Sequence, residues 1–132
     1  MKIESKKTEV TASIEDVYKF LIVPSNIEAL LPKDNIKDFT ADDKSCSFKV
    51  QGGFTITLIQ ESMEENKSIK FKSGEKSPFP FNLSVELTSI GDNTEGHLLF
   101  DGEVNTFMQM MVKKPLTNLF DYMSHKLKSQ FE

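Results

Sequence analysis

Two histidines, one cysteine and a handful of carboxylates and tyrosines hold the conventional reactive chemistry of this 132-residue chain. His97 shares strand parity with Asp101 and Glu103, opposite the apolar set Leu98, Phe100 and Val104, so it is expected to face solvent and not a site. His125 follows Met123 by two residues, off the apolar stripe of a C-terminal helix, and reads as a surface residue near a helix end. The pair lacks zinc-ligand spacing, so no metal site is expected. Cys46 sits in the strand-like run Cys46-Ser47-Phe48-Lys49-Val50 without a histidine or basic cluster beside it, which fits a small buried hydrophobe better than a nucleophile. Gly52-Gly53 lacks the following helix and lysine of a phosphate loop. Glu61, Glu64 and Glu65 gather near a turn and form a solvated rim. Tyr18 and Tyr122 fit packed rings with wet hydroxyls. No acid/base pair, catalytic residue or cofactor is expected from these residues.

The apolar side chains are more distinctive. There are 11 Phe and 6 Met against 2 Tyr and no Trp, in a chain that is otherwise of ordinary globular composition, 38% hydrophobic and 27% charged. Phe gives broad walls without polar demand, and Met gives adaptable surface. The net charge is -4 and all 16 basic residues are Lys. Lys supplies a point charge where Arg supplies a bidentate fork, so an acidic chain with no Arg and no Trp is not expected to bind nucleic acid. A single cysteine excludes a disulfide framework within the chain and fits a reducing, cytoplasmic setting. The opening Met1-Lys2-Ile3-Glu4-Ser5-Lys6-Lys7 has no apolar core of a signal peptide. No run approaches 18 apolar residues, so no stable membrane insertion is expected.

One domain over residues 1–132 is expected from the length. A strand over about 2–11 leads to Ser13, a helix N-cap with Glu15 and Asp16 in the first turn. Val17, Phe20 and Leu21 repeat at i, i+3, i+4. Pro24 is expected to end that helix, and Ser25 to cap a second short one through Ile27, Leu30 and Leu31, stopped by Pro32. From Asn35 the period becomes two. Cys46, Phe48, Val50, then Ile56 and Leu58 after the hairpin signal Gly52-Gly53, then Ile69 and Phe71, then Phe81, Leu83 and Val85, and last Leu98, Phe100 and Val104 form the dry face of an antiparallel meander. A helix over about 106–130 covers that face with Val112, Leu116, Leu119, Phe120, Met123 and Leu127. Pro115 predicts a kink or break near 111–114. Before it, Phe107, Met108, Met110, Met111 and Val112 are apolar nearly all round.

Strand, two short helices, antiparallel meander and long closing helix is the element order of the START-like superfamily, also called SRPBCC. The run Val10-Thr11-Ala12-Ser13-Ile14-Glu15-Asp16-Val17-Tyr18-Lys19-Phe20-Leu21 resembles its first strand and helix. Pro24-Ser25-Asn26-Ile27 and Leu30-Leu31-Pro32 resemble its second helix and exit. Met110-Met111-Val112-Lys113-Lys114-Pro115-Leu116 resembles the closing helix of small bacterial members of uncertain role. The resemblance implies an α+β, helix-grip (START-like) fold, with a curved antiparallel sheet wrapped around a long C-terminal helix. It also implies a deep cavity between the two, where relatives bind lipids, sterols, polyketides or plant hormones. Some relatives cyclise or dehydrate polyketides, and others assist a heat-shock ATPase. Fold alone does not choose among these.

The expected function is therefore binding or carriage of a small apolar molecule, a lipid, polyketide or similar. Two rivals stand beside it, a cyclase/dehydratase-like enzyme and a protein-interaction module without ligand. Strand parity and helical spacing assign the cavity walls to Phe48, Ile56, Phe71, Leu83 and Phe100 from the sheet, and to Met111, Leu116 and Phe120 from the helix.

Overall fold

The computed structural model describes residues 1–50 and 53–132. Gln51 and Gly52 lie outside the described residues, so of the expected hairpin turn only Gly53 is seen, with φ of 93°, the left-handed backbone such a turn needs. Two short strands, β1 (Lys2–Glu4) and β2 (Thr8–Val10), open the chain, followed by α1 (Ile14–Leu21) and a 3₁₀ helix (Pro24–Leu30). Six more strands follow: β3 (Ile36–Ala41), β4 (Ser45–Val50), β5 (Phe54–Glu64), β6 (Ser68–Ser73), β7 (Phe81–Ile90) and β8 (Asn93–Gly102). The last element is α2 (Thr106–Gln130). The strands form one antiparallel sheet in the order β1-β8-β7-β6-β5-β4-β3, with β2 also paired to β8.

The expected single opening strand is split at Ser5-Lys6-Lys7. The cause is local hydrogen bonding. Ser5 is buried, and its hydroxyl accepts the Leu98 amide at 2.8 Å in place of a ladder partner. The Lys6 carbonyl accepts from the Ser124 hydroxyl at 2.8 Å, and the Lys6 amide donates to Asp121 at 3.0 Å, so the break is fastened to α2. Ser13 caps α1 as its sequence position predicts, accepting from the Asp16 amide at 3.2 Å.

Two expectations around the prolines are corrected. α1 does end ahead of Pro24, with Ile22 as its C-cap, but Ser25 is not the cap of the next helix. Pro24 is the first residue of the 3₁₀ helix, whose cap position is Val23. The first turn leaves its amides unpaired in any case, so a residue without one fits there. Nor does Pro115 break the closing helix. α2 runs continuously from Thr106 to Gln130 with Pro115 inside it. Only the Met111 carbonyl loses its usual donor, and that part of the helix is exposed enough for water to replace it.

Strand parity is as the alternation predicts. Phe81, Leu83, Val85, Leu98 and Phe100 are buried, whereas Asn82 and Asp101 are exposed. The side chains of α2 that meet them are Val112, Leu116, Leu119, Phe120, Met123 and Leu127, all buried. Core and helix stripe are thus one apolar layer between the sheet and its helical cover.

Candidate functional site

The inner face of the sheet has two zones. Toward the end of β8 the space is filled with aromatic rings. Phe100 lies 5.2 Å from Phe81 and 5.4 Å from Phe120, centroid to centroid, and Phe79 closes edge-on at 6.3 Å. Gly102 makes this packing possible, because a Cβ there would stand 2.9 Å from the Phe100 ring.

The second zone, under α1 and the 3₁₀ helix, holds a void. Its walls are Leu21, Ile27 and Leu30 above, Leu58, Phe71, Leu83, Val85 and Leu98 below, and Met123 and Leu127 from α2. Counted as space open to the centre of a water-sized sphere, it measures about 20 Å³. That is room for about one water, against the roughly 10–15 Å³ a single water needs. Two polar residues border it, Ser124 and His97. Ser124 spends its hydroxyl on Lys6, and strand parity carries the His97 ring to the outer face, where Nε2 is 3.8 Å from a Glu4 carboxylate oxygen. The His97 side chain is only 17% exposed, so it is more covered than the alternation implied. Its neighbours Glu86 and Ser84 bond each other at 2.8 Å on that same outer face.

Of the eight residues expected to wall a cavity, Phe71 and Leu83 border this void. Phe48, Ile56, Phe100, Leu116 and Phe120 are buried in the same core but away from it. Met111 is corrected outright. It is 58% exposed on the far side of α2, beside Phe107 at 72% and Met110 at 82%. The stripe that buries Val112 and Leu116 turns these three residues outward, because helical positions near 180° from the buried stripe cannot share its face.

Sequence reasoning missed Gln60. It continues the inward parity of Phe54, Ile56 and Leu58, and its amide donates to the Ile22 carbonyl at 2.7 Å, just past α1. An amide closing an apolar alternation was the available signal. Cys46 behaves as expected of a buried hydrophobe. Burial, helped by the Asp42 charge, pushes its thiol up to about 12. Among the described residues, no group of His, Cys, Asp or Glu is placed to hold a metal ion. No helix among them is long and apolar enough to cross a membrane.

This arrangement of sheet, helical cover and closing helix superposes on solved structures along nearly its whole length. A START superfamily protein from Mycobacterium smegmatis matches with a TM-score of 0.76 at 17% identity, covering 98% of this chain and 96% of that one. The chain has the START-like fold. A conserved protein from Geobacillus kaustophilus matches at 0.72 and 16% identity, over 99% and 95% of the two chains. The Aha1 dimer from Colwellia psychrerythraea, solved in solution, matches at 0.70 and 16% identity, over 100% and 96%. No family model and no curated protein sequence matches the chain. At these identities the likeness concerns the START-like fold itself, and the chemistry rests on the residues described above.

Proposed function

We propose that this START-like chain binds a small apolar molecule, a lipid, polyketide or similar, between the sheet and the cover formed by α1 and the 3₁₀ helix. The observation that carries the reading is the void under that cover, bordered by apolar side chains with no unpaired polar atom to favour water. Ligand pockets span roughly 300 Å³ or more, so a space of about 20 Å³ must widen to admit one. The cover is the part suited to move. Among the described residues, one side-chain hydrogen bond, Gln60 to Ile22, joins residues 14–30 to the sheet. Met123 and Leu127 have rotamers enough to follow it.

A ligand burying roughly 400 Å² of apolar surface gains about 10 kcal/mol gross at ~25 cal/mol/Å². Association, ordering and the work of opening the cover remove much of that, which leaves micromolar affinity. Extraction of the natively purified protein followed by lipid mass spectrometry tests the reading. A defined apolar species retained in near-stoichiometric amount is expected, and a variety of trace lipids independent of folding would refute it. The enzyme reading has less support, because neither Ser124 nor His97 meets a carboxylate facing the void.

A further inference from the structure

Of the inward positions Phe54, Ile56, Leu58 and Gln60 in β5, only Gln60 is polar. It pairs across the sheet with Phe71, a wall of the void. Its Nε2 donates to the Ile22 carbonyl at 2.7 Å, and Leu21, the residue before, is another wall. Beyond that bond the surface opens. Ile22, Val23 and Pro24 face Asp42 and Asp43 of the β3–β4 turn across a groove of about 510 Å³. The backbone amide of Gln60 donates to the Lys44 carbonyl of the same turn at 2.8 Å. Gln60 thus stands between an apolar space inside and an open groove outside.

We infer that Gln60 selects the polar end of the ligand: the molecule bound carries a hydrogen-bond-accepting oxygen at one end, which takes the place of the Ile22 carbonyl on Nε2. Its apolar body fills the widened void, and its polar end points toward the Asp42–Asp43 groove. This inference rests on the ligand reading above.

The argument starts from the space required. The void must widen from about 20 Å³ to roughly 300 Å³, and the cover that lifts includes Ile22. The corner of that cover is tied within itself. The Asn26 side chain donates to the Phe20 carbonyl at 3.0 Å, and the Asn26 amide donates to the Val23 carbonyl at 2.9 Å. It shifts as one piece, so lifting it strips Nε2 of its acceptor. A donor left bare beside apolar walls is costly. A hydrocarbon leaves it bare, whereas a ketone, ester, alcohol or carboxyl oxygen satisfies it. Gln60 is half-buried, so the discrimination is that of one ordinary hydrogen bond, about fivefold in affinity.

A matched pair of fluorescent probes tests this: acetylnaphthalene, which has a ketone oxygen, and ethylnaphthalene, which has the same shape without it. Both are titrated into the wild type, Gln60→Leu and Gln60→Met, with thermal melts to establish that the variants are folded. The ketone should lose about fivefold in affinity in both variants. The hydrocarbon should bind them as tightly as the wild type or more tightly, because the fastening of the cover is gone. Equal changes for the two probes, or none for either, overturn the inference and leave the ligand reading standing. A folded wild type that saturates with neither probe overturns the ligand reading and this inference together.

Discussion

The side-chain amide of Gln60 donates to the main-chain carbonyl of Ile22 across 2.7 Å, tying the end of α1 to an inward position of β5. The register of β5 against β6 shifts just beyond it, between Gln60 and Ser62. Past that shift Met63, and not Ser62, pairs with the buried Ile69, so the two faces of β5 are exchanged just beyond the polar tie.

Gln60→Leu keeps the bulk and removes the donor, leaving the Ile22 carbonyl without its partner. The expected loss is about 1 kcal/mol in urea unfolding. Apolar probes should enter the variant faster than the wild type. Unchanged entry with lowered stability would show that the cover is not the gate.

Phe100 and Met111 should part company. Phe100→Ala removes a ring packed against Phe81 and Phe120, at a cost of about 3–5 kcal/mol. Met111→Ala, at an exposed position, should change stability by no more than ~0.5 kcal/mol. Equal losses in denaturant titrations would contradict the placement of Met111.

The difference between these two residues also marks what the sequence could convey. Phe100 was legible because a strand has a period of two, and one buried neighbour fixes the whole face. The helical stripe Leu116, Leu119, Phe120, Met123 was legible for the analogous reason. Met111 was not. Between Phe107 and Val112 the helix is apolar nearly all round, so periodicity gives no phase, and the proline suggested a break where the helix is continuous. The site itself was half legible. Parity found Phe71 and Leu83, but the void depends on how three helical segments meet over the sheet, and no local pattern encodes that. Ser5 shows the same limit, since its tie to Leu98 spans 93 residues.

Cys46 should be silent to thiol reagents near pH 8 in the folded protein and react once urea opens the core. Its pH effect follows from the raised thiol. Below the usual value of 9.0 both states hold the proton, and the contribution to stability is complete. As pH rises from there toward about 12, the unfolded chain ionises while the folded one does not, and stability is lost. Rapid labelling of the native protein would contradict the burial.

Asp42 shifts the other way. The Lys44 amide, then the Ser45 hydroxyl and amide, hold its carboxylate below the usual 3.8. The turn it organises between β3 and β4 is thus supported above that pH, and the support is lost as pH falls through the lowered value. Asp42→Ala should destabilise the protein at neutral pH, with the gap to wild type closing in strong acid. A gap that persists at low pH would assign the effect to something other than the carboxylate.

The central claim is that the space under α1 and the 3₁₀ helix accepts an apolar molecule. Titration of the wild type with a fluorescent fatty acid, alongside Val85→Phe to fill that space, tests it most directly. The prediction is saturable one-to-one binding at micromolar concentration, lost in Val85→Phe while that variant remains folded. Absence of saturable binding to the folded wild type, or equal binding by the filled variant, would contradict it.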